Sequence, residues 1–423
     1  MGFSGTEDKI LKKQEQFIKQ GYTENPHVYA CITFIAKSLS QIPFQVYEVV
    51  DEKSYQKAIQ YKHQNNIEGF NDLMIKAIEE TQVQGLSELL KMPNEHQAFP
   101  EFLYEAVGFK YLTGNNYVYG LTNRLDQSKV WERIYNMPSQ LVEIEQGTWR
   151  QPVKGYTITI DEEEQLIDPD QVMHRKFWNP NHDEHGTSLY GMSPLMALGK
   201  VIARSNESKK ASLAMMTNGV PAGILSNESG MSMTREDNMK LQKQMDQRYG
   251  GGENAKRIMI GSFPMKWQQI GLNSVDLELI AADKADLRDV CRVLGVPVVL
   301  LDDEASSFNN VSNFEKTFWR NTGVPELDDF VSHFNRVITK GYSSRDNKQY
   351  LVTYQKDAIP SLQKDRDAIS ERALKEFDRG IWSGNEVRAM LDKEAGTEQH
   401  LDKYYISNSL ASVNPEDNND ANT

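Results

Sequence analysis

Five side chains that could bind a metal ion lie close together in the middle of the chain. They are His174, His182, Asp183, Glu184 and His185. Imidazole nitrogens and carboxylate oxygens are ligands for zinc, and a zinc-bound water can act as the nucleophile in hydrolysis. The spacing does not match the helical H-E-x-x-H pair, and Asn179-Pro180-Asn181 marks a loop. Two hypotheses therefore stand, a metal-dependent hydrolase and a solvated loop, and the loop pattern favours the second.

Glycine-rich segments raise the question of nucleotide binding. A phosphate-binding loop needs the pattern G-x-x-x-x-G-K-[ST] between a strand and a helix. Gly199-Lys200 is followed by Val201 and lies inside a predicted helix, while Gly250-Gly251-Gly252 follows a helix and is typical of a turn. We therefore predict no nucleotide-driven motor within this chain.

The element around which the chain is organised is a long helix between Ser193 and Gly219. Ser193 is a good N-cap, Asn218-Gly219 suits a helix C-terminus, and Pro221 prevents continuation. A helix of this length spans roughly 37 Å at 1.5 Å per residue. Its middle, Ala203–Ser212, is polar, which indicates either a solvated strut between two packed bodies or an ordinary surface helix.

A second long helix follows from Val275 to Leu294. Asn273 can cap it, and Gly295-Val296-Pro297 ends it. The sequence between the two long helices predicts a small α/β module. Its parts are a strand at 223–225, a charged helix at 234–249, a break at 250–252 and a strand at 257–260. Two struts would thus carry a small head.

The composition limits the class of protein. The chain has 423 residues, a net charge of −13 and 39% hydrophobic residues. This hydrophobic share is low for a globular domain and suits an elongated subunit that is stabilised by oligomerisation. Cys31 and Cys291 lie in apolar helical patterns, so we expect buried free thiols and a reducing cytoplasm. We expect no signal peptide and no membrane span, because no apolar run approaches about 20 residues.

Short motifs recur along the chain in a characteristic order. They are Gly191–Leu195, Asn218-Gly219, Pro221–Leu225, Arg248–Gly251, Glu253–Arg257 and Leu294–Pro297, with Val28–Ile32, Ile42-Pro43 and Gly380–Arg388 nearer the ends. Their order and spacing resemble the HK97-type portal proteins of tailed bacteriophages. The resemblance covers about residues 25–395, apart from a polar segment at 51–84.

The resemblance implies an α+β fold for an elongated portal subunit. Its parts would be an N-terminal arm (1–24), an α/β wing (25–192) with a helical insertion (51–84), a first stem helix (193–219), a small α/β clip (220–272), a second stem helix (273–295), a wing segment (296–355) with a tunnel loop (302–313) and a kinked long helix, a helical crown (356–406) and a disordered tail (407–423). We expect the kinked helix to begin near Val311 and to bend at Gly323-Val324-Pro325.

The resemblance also assigns site residues. The tunnel loop would constrict a DNA channel with Ser306, Ser307, Phe308, Asn309 and Asn310. Stem residues Lys209 and Lys210 would form a positive ring around passing phosphates, or else a solvated face. The clip would dock partners through Arg235, Glu236, Lys240 and Lys243, which otherwise form an ordinary exposed face.

The resemblance implies no catalysis and no cofactor, and the partners that it implies are those of a portal vertex. They are further copies of the chain in a ring, usually of twelve, double-stranded DNA passing without sequence specificity, terminase, the major capsid protein and the head-completion or connector proteins. The protein would belong to the virion after assembly in the host cytoplasm. An acidic channel fits DNA passage, because strong attraction would stall the sliding duplex, although acidity also favours solubility alone.

Overall fold

The structure is a computed structural model in which the chain divides into two units, Met1–Gln355 and Lys356–Thr423. It describes residues 14–63, 73–74, 76–122, 130–160, 163–182, 186–218, 223–227, 236, 239–240, 243, 265–269, 273–302, 308–359, 361, 366–390 and 401. The predicted mixture of helices and strands is confirmed. The predicted strand at 257–260 and the predicted disorder at 407–423 lie outside the described residues.

Helices α1 to α10 belong to the first unit, and α11 and α12 to the second. They are α1 (Phe17–Thr23, π-helical), α2 (Pro26–Ser40), α3 (Glu52–His63), α4 (Leu86–Leu89), α5 (Phe99–Thr113), α6 (Leu195–Asn218), α7 (Asn273–Leu294), α8 (Phe308–Phe318), α9 (Val324–Phe334), α10 (Lys340–Asp346), α11 (Arg366–Asp378) and α12 (Gly384–Met390). None of the helices described is both long and apolar enough to cross a membrane.

Eleven strands are described, all in the first unit. They are β1 (Phe44–Val49), β2 (Ile78–Glu80), β3 (Asn115–Thr122), β4 (Trp131–Met137), β5 (Val142–Gln146), β6 (Val153–Ile160), β7 (Glu163–Ile167), β8 (Val172–Lys176), β9 (Gly223–Asn227), β10 (Met265–Gln269) and β11 (Tyr350–Tyr354). All pairings are antiparallel, in the orders β11-β1-β2, β4-β3-β8, β5-β6-β7 and β10-β9.

Helices α2 and α5 pack together in the core of the first unit. The Asn25 side chain caps α2 by accepting from the backbone N–H groups of His27 and Val28, and the face that carries Cys31 and Ile35 is buried. Helix α5 begins after Ala98, an unusual N-cap. The Glu101 carboxylate accepts from the backbone N–H of Ala98 at 3.0 Å, which supplies half of a capping box.

The junction between α5 and β3 requires a glycine. Gly114 has φ +86°, and a Cβ there would lie 2.6 Å from the carbonyl oxygen of Gly191. Left-handed backbone and this close approach both exclude larger residues. The turn therefore holds the end of α5 against the segment that leads into the first long helix.

Three boundaries differ from the sequence prediction. The segment 51–84 contains helix α3 but ends in strand β2, which pairs with β1. Helix α8 begins at Phe308 rather than near Val311. The predicted bend at 323–325 follows a π-helical turn at Trp319–Gly323, and Pro325 lies in the first turn of α9. Since proline lacks an N–H and tolerates a first turn, the π-turn and Pro325 together explain the interruption.

Candidate functional site: the long helices and their supports

Ion pairs join the two long helices α6 and α7. Asp283 Oδ1 on α7 lies 3.4 Å from Lys209 Nζ on α6, and it also lies 2.8 Å from His27 Nε2 on α2. One turn further along α7, Asp286 accepts from Arg204 Nε at 3.0 Å. Acidic positions three residues apart on α7 thus meet basic positions on α6, because residues at this spacing share a helix face.

The side chains of the second pair, Arg204 and Asp286, are unequally exposed. The Asp286 side chain is 2% exposed, whereas the Arg204 side chain is 56% exposed. A buried carboxylate needs a charged or hydrogen-bonding partner, because its desolvation is costly. Arg204 therefore supports Asp286 in the interface while keeping much of its own guanidinium in water. The hydrogen bond with Asp286 and the charge of that carboxylate raise the pKa of Arg204.

The Asp283 carboxylate is held in its charged form. Burial alone would raise its pKa, but the hydrogen bond with His27 and the charge of Lys209 outweigh burial and lower it. Lys209 therefore serves a contact between the helices. Of the two lysines predicted to face DNA, it is the one that contacts the other long helix.

Lys210 has a different environment. Its side chain is 65% exposed, and its Nζ lies 3.0 Å from Glu207 Oε1 on the same helix. A surface pair of this type contributes little to stability. Lys210 is thus the predicted stem residue whose charge is accessible from solvent in the single chain.

The polar middle of α6 is not a uniformly wet surface, contrary to the sequence interpretation. Ser205 and Asn206 are buried. The Asn206 Nδ2 donates to the Gln20 carbonyl at 2.9 Å, and its Oδ1 accepts from Asn25 Nδ2 at 2.9 Å. These buried amide contacts fix α6 to α1 and to the N-cap of α2, so part of the polarity serves packing rather than solvation.

The predicted tunnel loop is only partly described. Ser306 and Ser307 lie outside the described residues. Phe308, Asn309 and Asn310 form the first turn of α8 rather than a loop. A short 3-10 turn at Val298–Leu300 follows α7 and precedes the predicted tunnel loop in the sequence.

A buried charge cluster connects α5, β8 and α9. Lys110 Nζ lies 2.8 Å from carboxylate oxygens of both Glu326 and Asp329, and Arg175 Nη2 lies 2.6 Å from Glu326 and 3.0 Å from Asp329. The Arg175 guanidinium also lies 4.9 Å from the centre of the Phe330 ring. Two cations and two anions thus neutralise one another inside the first unit.

This cluster fixes charge states as well as positions. Burial raises the pKa of Asp329, but the hydrogen bond from His333 and the charges of Arg175 and Lys110 lower it far more, so the net shift is well downward. This charge cluster was not predicted from the sequence. Arg175 at alternating register in β8 and Glu326 in the first turn of α9 were the available signals.

His174 is a structural residue rather than an available metal ligand. Its ring stacks on Tyr117 at 4.3 Å, meets the edge of Tyr156, and places Nε2 3.0 Å from Asn115 Oδ1. Desolvation lowers the pKa of His174 to about 3, with smaller contributions from Lys176 and His333. The ring is therefore neutral near pH 7.

Of the other residues in the predicted metal cluster, only His182 belongs to the described part of the chain. His182 Nδ1 lies 2.8 Å from Ser188 Oγ. Asp183, Glu184 and His185 lie outside the described residues. Within the described ranges, no three His, Cys, Asp or Glu side chains are grouped so as to hold a metal ion.

The small module between the long helices is described through one strand pair. β9 and β10 pair antiparallel, with Gly223 opposite Gln269 and Asn227 opposite Met265. Of the predicted docking residues, Glu236, Lys240 and Lys243 are exposed, and Arg235 lies outside the described residues. The strand at 265–269 was not predicted, because its residues MKWQQ give only a weak alternation.

Known proteins resemble this chain in sequence and in fold. The model of a family described as "Phage portal protein" matches residues 26–392. Uncharacterized proteins of Rickettsia bellii (strain RML369-C) and Rickettsia felis (strain ATCC VR-1525 / URRWXCal2) are each 23% identical, covering 82% and 83% of this chain and 82% of each relative.

Two solved structures are similar to the described fold. A chain in the neck of an empty GTA (gene transfer agent) particle, computed with C6 symmetry, has a TM-score of 0.65 and 21% identity, covering 91% of this chain and 94% of that one. A chain in the neck of a native GTA particle, computed with C12 symmetry, has a TM-score of 0.63 and 20% identity, covering 90% and 94%.

The described residues thus share the fold of a chain from the neck of a GTA particle. Because the family match spans residues 26–392, the chain belongs to the phage portal protein family. The predicted family is therefore confirmed. Phage portal proteins are structural proteins and not enzymes, which contradicts the hydrolase hypothesis.

Proposed function

We propose that this protein forms the portal ring at one vertex of a phage capsid and that double-stranded DNA passes through the ring. Membership of the phage portal protein family over residues 26–392 is the observation that carries this proposal. The similar neck structure with C12 symmetry supports a ring of twelve copies. A cyclic ring uses one head-to-tail interface repeatedly, which closes without leaving an unpaired surface.

In this proposal, the paired helices α6 and α7 form the stem. The Asp283 and Asp286 contacts to α6 keep the two helices in register, so that each subunit contributes one rigid strut to the channel wall. Rigidity matters because a channel of constant width lets the duplex slide. Lys210 remains accessible and is the stem residue that we assign to phosphate contact.

Helix α8 and the residues before it form the constriction of the proposed channel. Ser306 and Ser307 precede the helix, and Phe308, Asn309 and Asn310 open it. Small and neutral polar groups with one aromatic ring contact DNA without strong electrostatic attraction, which suits passage rather than retention by charge.

The β9–β10 module and the exposed residues Glu236, Lys240 and Lys243 form the proposed clip. We assign Arg235 to the same surface. Mixed charges on an exposed face suit exchange between successive partners, because such contacts give specificity without very tight binding. Terminase would dock here during packaging and the head-completion or connector proteins afterwards, while the major capsid protein would surround the wing.

A packaging assay tests this function. Procapsids would be assembled with or without the full-length chain, given the matching terminase, ATP and double-stranded DNA, and then treated with nuclease. We expect protected DNA only in procapsids that contain the chain. Equal protection in procapsids that lack it would overturn the proposal. The ring would reside in the virion after assembly in the host cytoplasm.

A further inference from the structure

The only two cysteines of the chain meet in the core of the first unit. Cys31 lies on α2 and Cys291 on α7, 260 positions apart, and their Sγ atoms are 3.5 Å from each other. Both side chains are buried, and both thiols are free. Two sulfur atoms at this separation are in contact but not bonded, since a disulfide has a length of about 2.05 Å.

The position of the two thiols gives them a mechanical meaning. Helix α2 belongs to the packed body of the wing, where it contacts α5, and α7 is the second of the two long helices. Besides the Cys31–Cys291 contact, the described side-chain contacts between these helices include the pair of His27 and Asp283 two turns away. A covalent bond between the sulfurs would replace a contact that can open with one that cannot.

We propose that Cys31 and Cys291 form a dithiol site that a low-molecular-weight disulfide oxidises to an intramolecular disulfide, which then locks α7 to α2. The site accepts a small disulfide RSSR as its substrate class. The net reaction is RSSR plus two protein thiols giving one protein disulfide plus two RSH, so atoms and electrons balance. The protein thiols are oxidised and the small disulfide is reduced.

Each step has an assigned residue. The hydrogen bond between the thiols lowers the pKa of Cys291 and raises that of Cys31, so Cys291 is the first to ionise. The Cys291 thiolate attacks RSSR, forms a mixed disulfide and releases RS⁻, which takes up a proton. Cys31 then loses its proton, attacks the Cys291 sulfur and releases the second RSH.

Geometry favours the second step. Because Cys31 Sγ already lies within 3.5 Å of Cys291 Sγ, the intramolecular attack has a high effective concentration. Access of RSSR sets the rate of the first step, since Cys291 is buried. The end of α7 at Leu294 is followed by Gly295 with φ +75°, so the cysteine lies one turn from a helix terminus, where fraying is commonest.

Thiol counting tests the proposal. The purified full-length chain would be incubated with bis(2-hydroxyethyl) disulfide, then unfolded in guanidinium for thiol titration and analysed by peptide mass spectrometry. We expect the titrated thiols to fall from two to none, with peptides containing residues 31 and 291 joined to each other. The oxidised chain should also melt roughly 5 °C above the reduced chain, because the closed loop is long.

Single variants supply the control. Cys31→Ala and Cys291→Ala each retain one thiol, and we expect only a mixed disulfide with the reagent and no rise in Tm. The proposal is overturned if both wild-type thiols survive conditions that oxidise the guanidinium-unfolded chain. Mixed disulfides at both cysteines or a bond between two chains would overturn it equally. The wild-type result decides the matter even if a variant folds poorly.

Discussion

The ammonium group of Lys110 lies 2.8 Å from the carboxylate of Glu326, although the two residues are 216 positions apart in the chain. Both side chains are buried, at 4% and 6% exposure. The contact joins α5 to the first turn of α9, just after the π-helical turn at Trp319–Gly323. It therefore anchors the interrupted helix that follows the proposed channel constriction to α5 in the first unit.

Removing Lys110 should destabilise the protein strongly. We expect Lys110→Ala to lower the free energy of unfolding by about 3 kcal/mol, because it leaves the buried carboxylate of Glu326 and the half-buried carboxylate of Asp329 with one cation instead of two. Guanidinium unfolding measures this. Lys154→Ala, which removes an exposed pair with Glu145, is the matched control and should cost less than about 1 kcal/mol. Equal losses for the two variants would contradict the assigned role.

Acidification should act through His174. Burial lowers the pKa of His174 to about 3, below the value of about 6.5 for an unfolded chain. The unfolded chain therefore binds a proton first, so the stabilising contribution is complete above about pH 6.5 and falls as pH drops towards 3. We expect a loss of about 1–2 kcal/mol between pH 6.5 and 5.

The variant His174→Gln isolates this effect. Glutamine cannot titrate and still offers an amide N–H to Asn115 Oδ1, so its stability should depend less on pH across the same interval. Unfolding by urea at a series of pH values is the measurement. Parallel pH profiles for the wild type and the variant would show that His174 is not responsible.

The pair between the long helices should respond asymmetrically. Arg204→Ala leaves the buried Asp286 carboxylate without its cation and should cost about 2 kcal/mol. Asp286→Ala leaves Arg204 with its guanidinium already largely in water and should cost about 1 kcal/mol. Urea unfolding of both single variants distinguishes these outcomes, and a larger loss for Asp286→Ala would refute the argument from burial.

How much the sequence could predict depended on the range of the interaction. Local signals located the two long helices well. Caps, glycines and prolines predicted helices between Ser193 and Gly219 and from Val275 to Leu294, and the structure has Leu195–Asn218 and Asn273–Leu294. The interruption near Gly323 was also visible, because glycine and proline act on their own turn of backbone.

Contacts between distant residues were not predictable in the same way. Lys110, Arg175 and Glu326 each look like ordinary exposed charges in their own segments, and only the tertiary fold brings them together. The same reason explains the burial of Asn206, which local polarity indicated as solvated. His174 shows the opposite case. Its residue type allowed metal binding, but in the fold its ring stacks on Tyr117 and its Nε2 contacts Asn115.

Substitutions at the start of α8 should affect DNA packaging rather than ring assembly. We expect Phe308→Ala with Asn309→Ala and Asn310→Ala to leave rings intact and to reduce packaged DNA several-fold, because the altered turn lines the proposed constriction. Alanine is chosen because glycine would also cost about 1 kcal/mol in helix propensity at an internal position. Nuclease-protected DNA is the readout, and an unchanged yield in intact rings would exclude these residues from the constriction.

A variant in the proposed stem provides the comparison. Lys210→Ala removes the accessible charge and an exposed pair with Glu207, so the fold should remain unchanged. The salt dependence of packaging should weaken in this variant if Lys210 contacts phosphates. An identical salt dependence would leave Lys210 as a solvated surface residue.

The central claim is that this chain closes into a ring. Native mass spectrometry of the full-length protein, with negative-stain electron microscopy of the same sample and of a sample coexpressed with the major capsid protein, tests it most directly. We expect a species of twelve 48.3 kDa subunits and ring-shaped particles with a central hole. A monomer in both samples, with no rings in either, would contradict it.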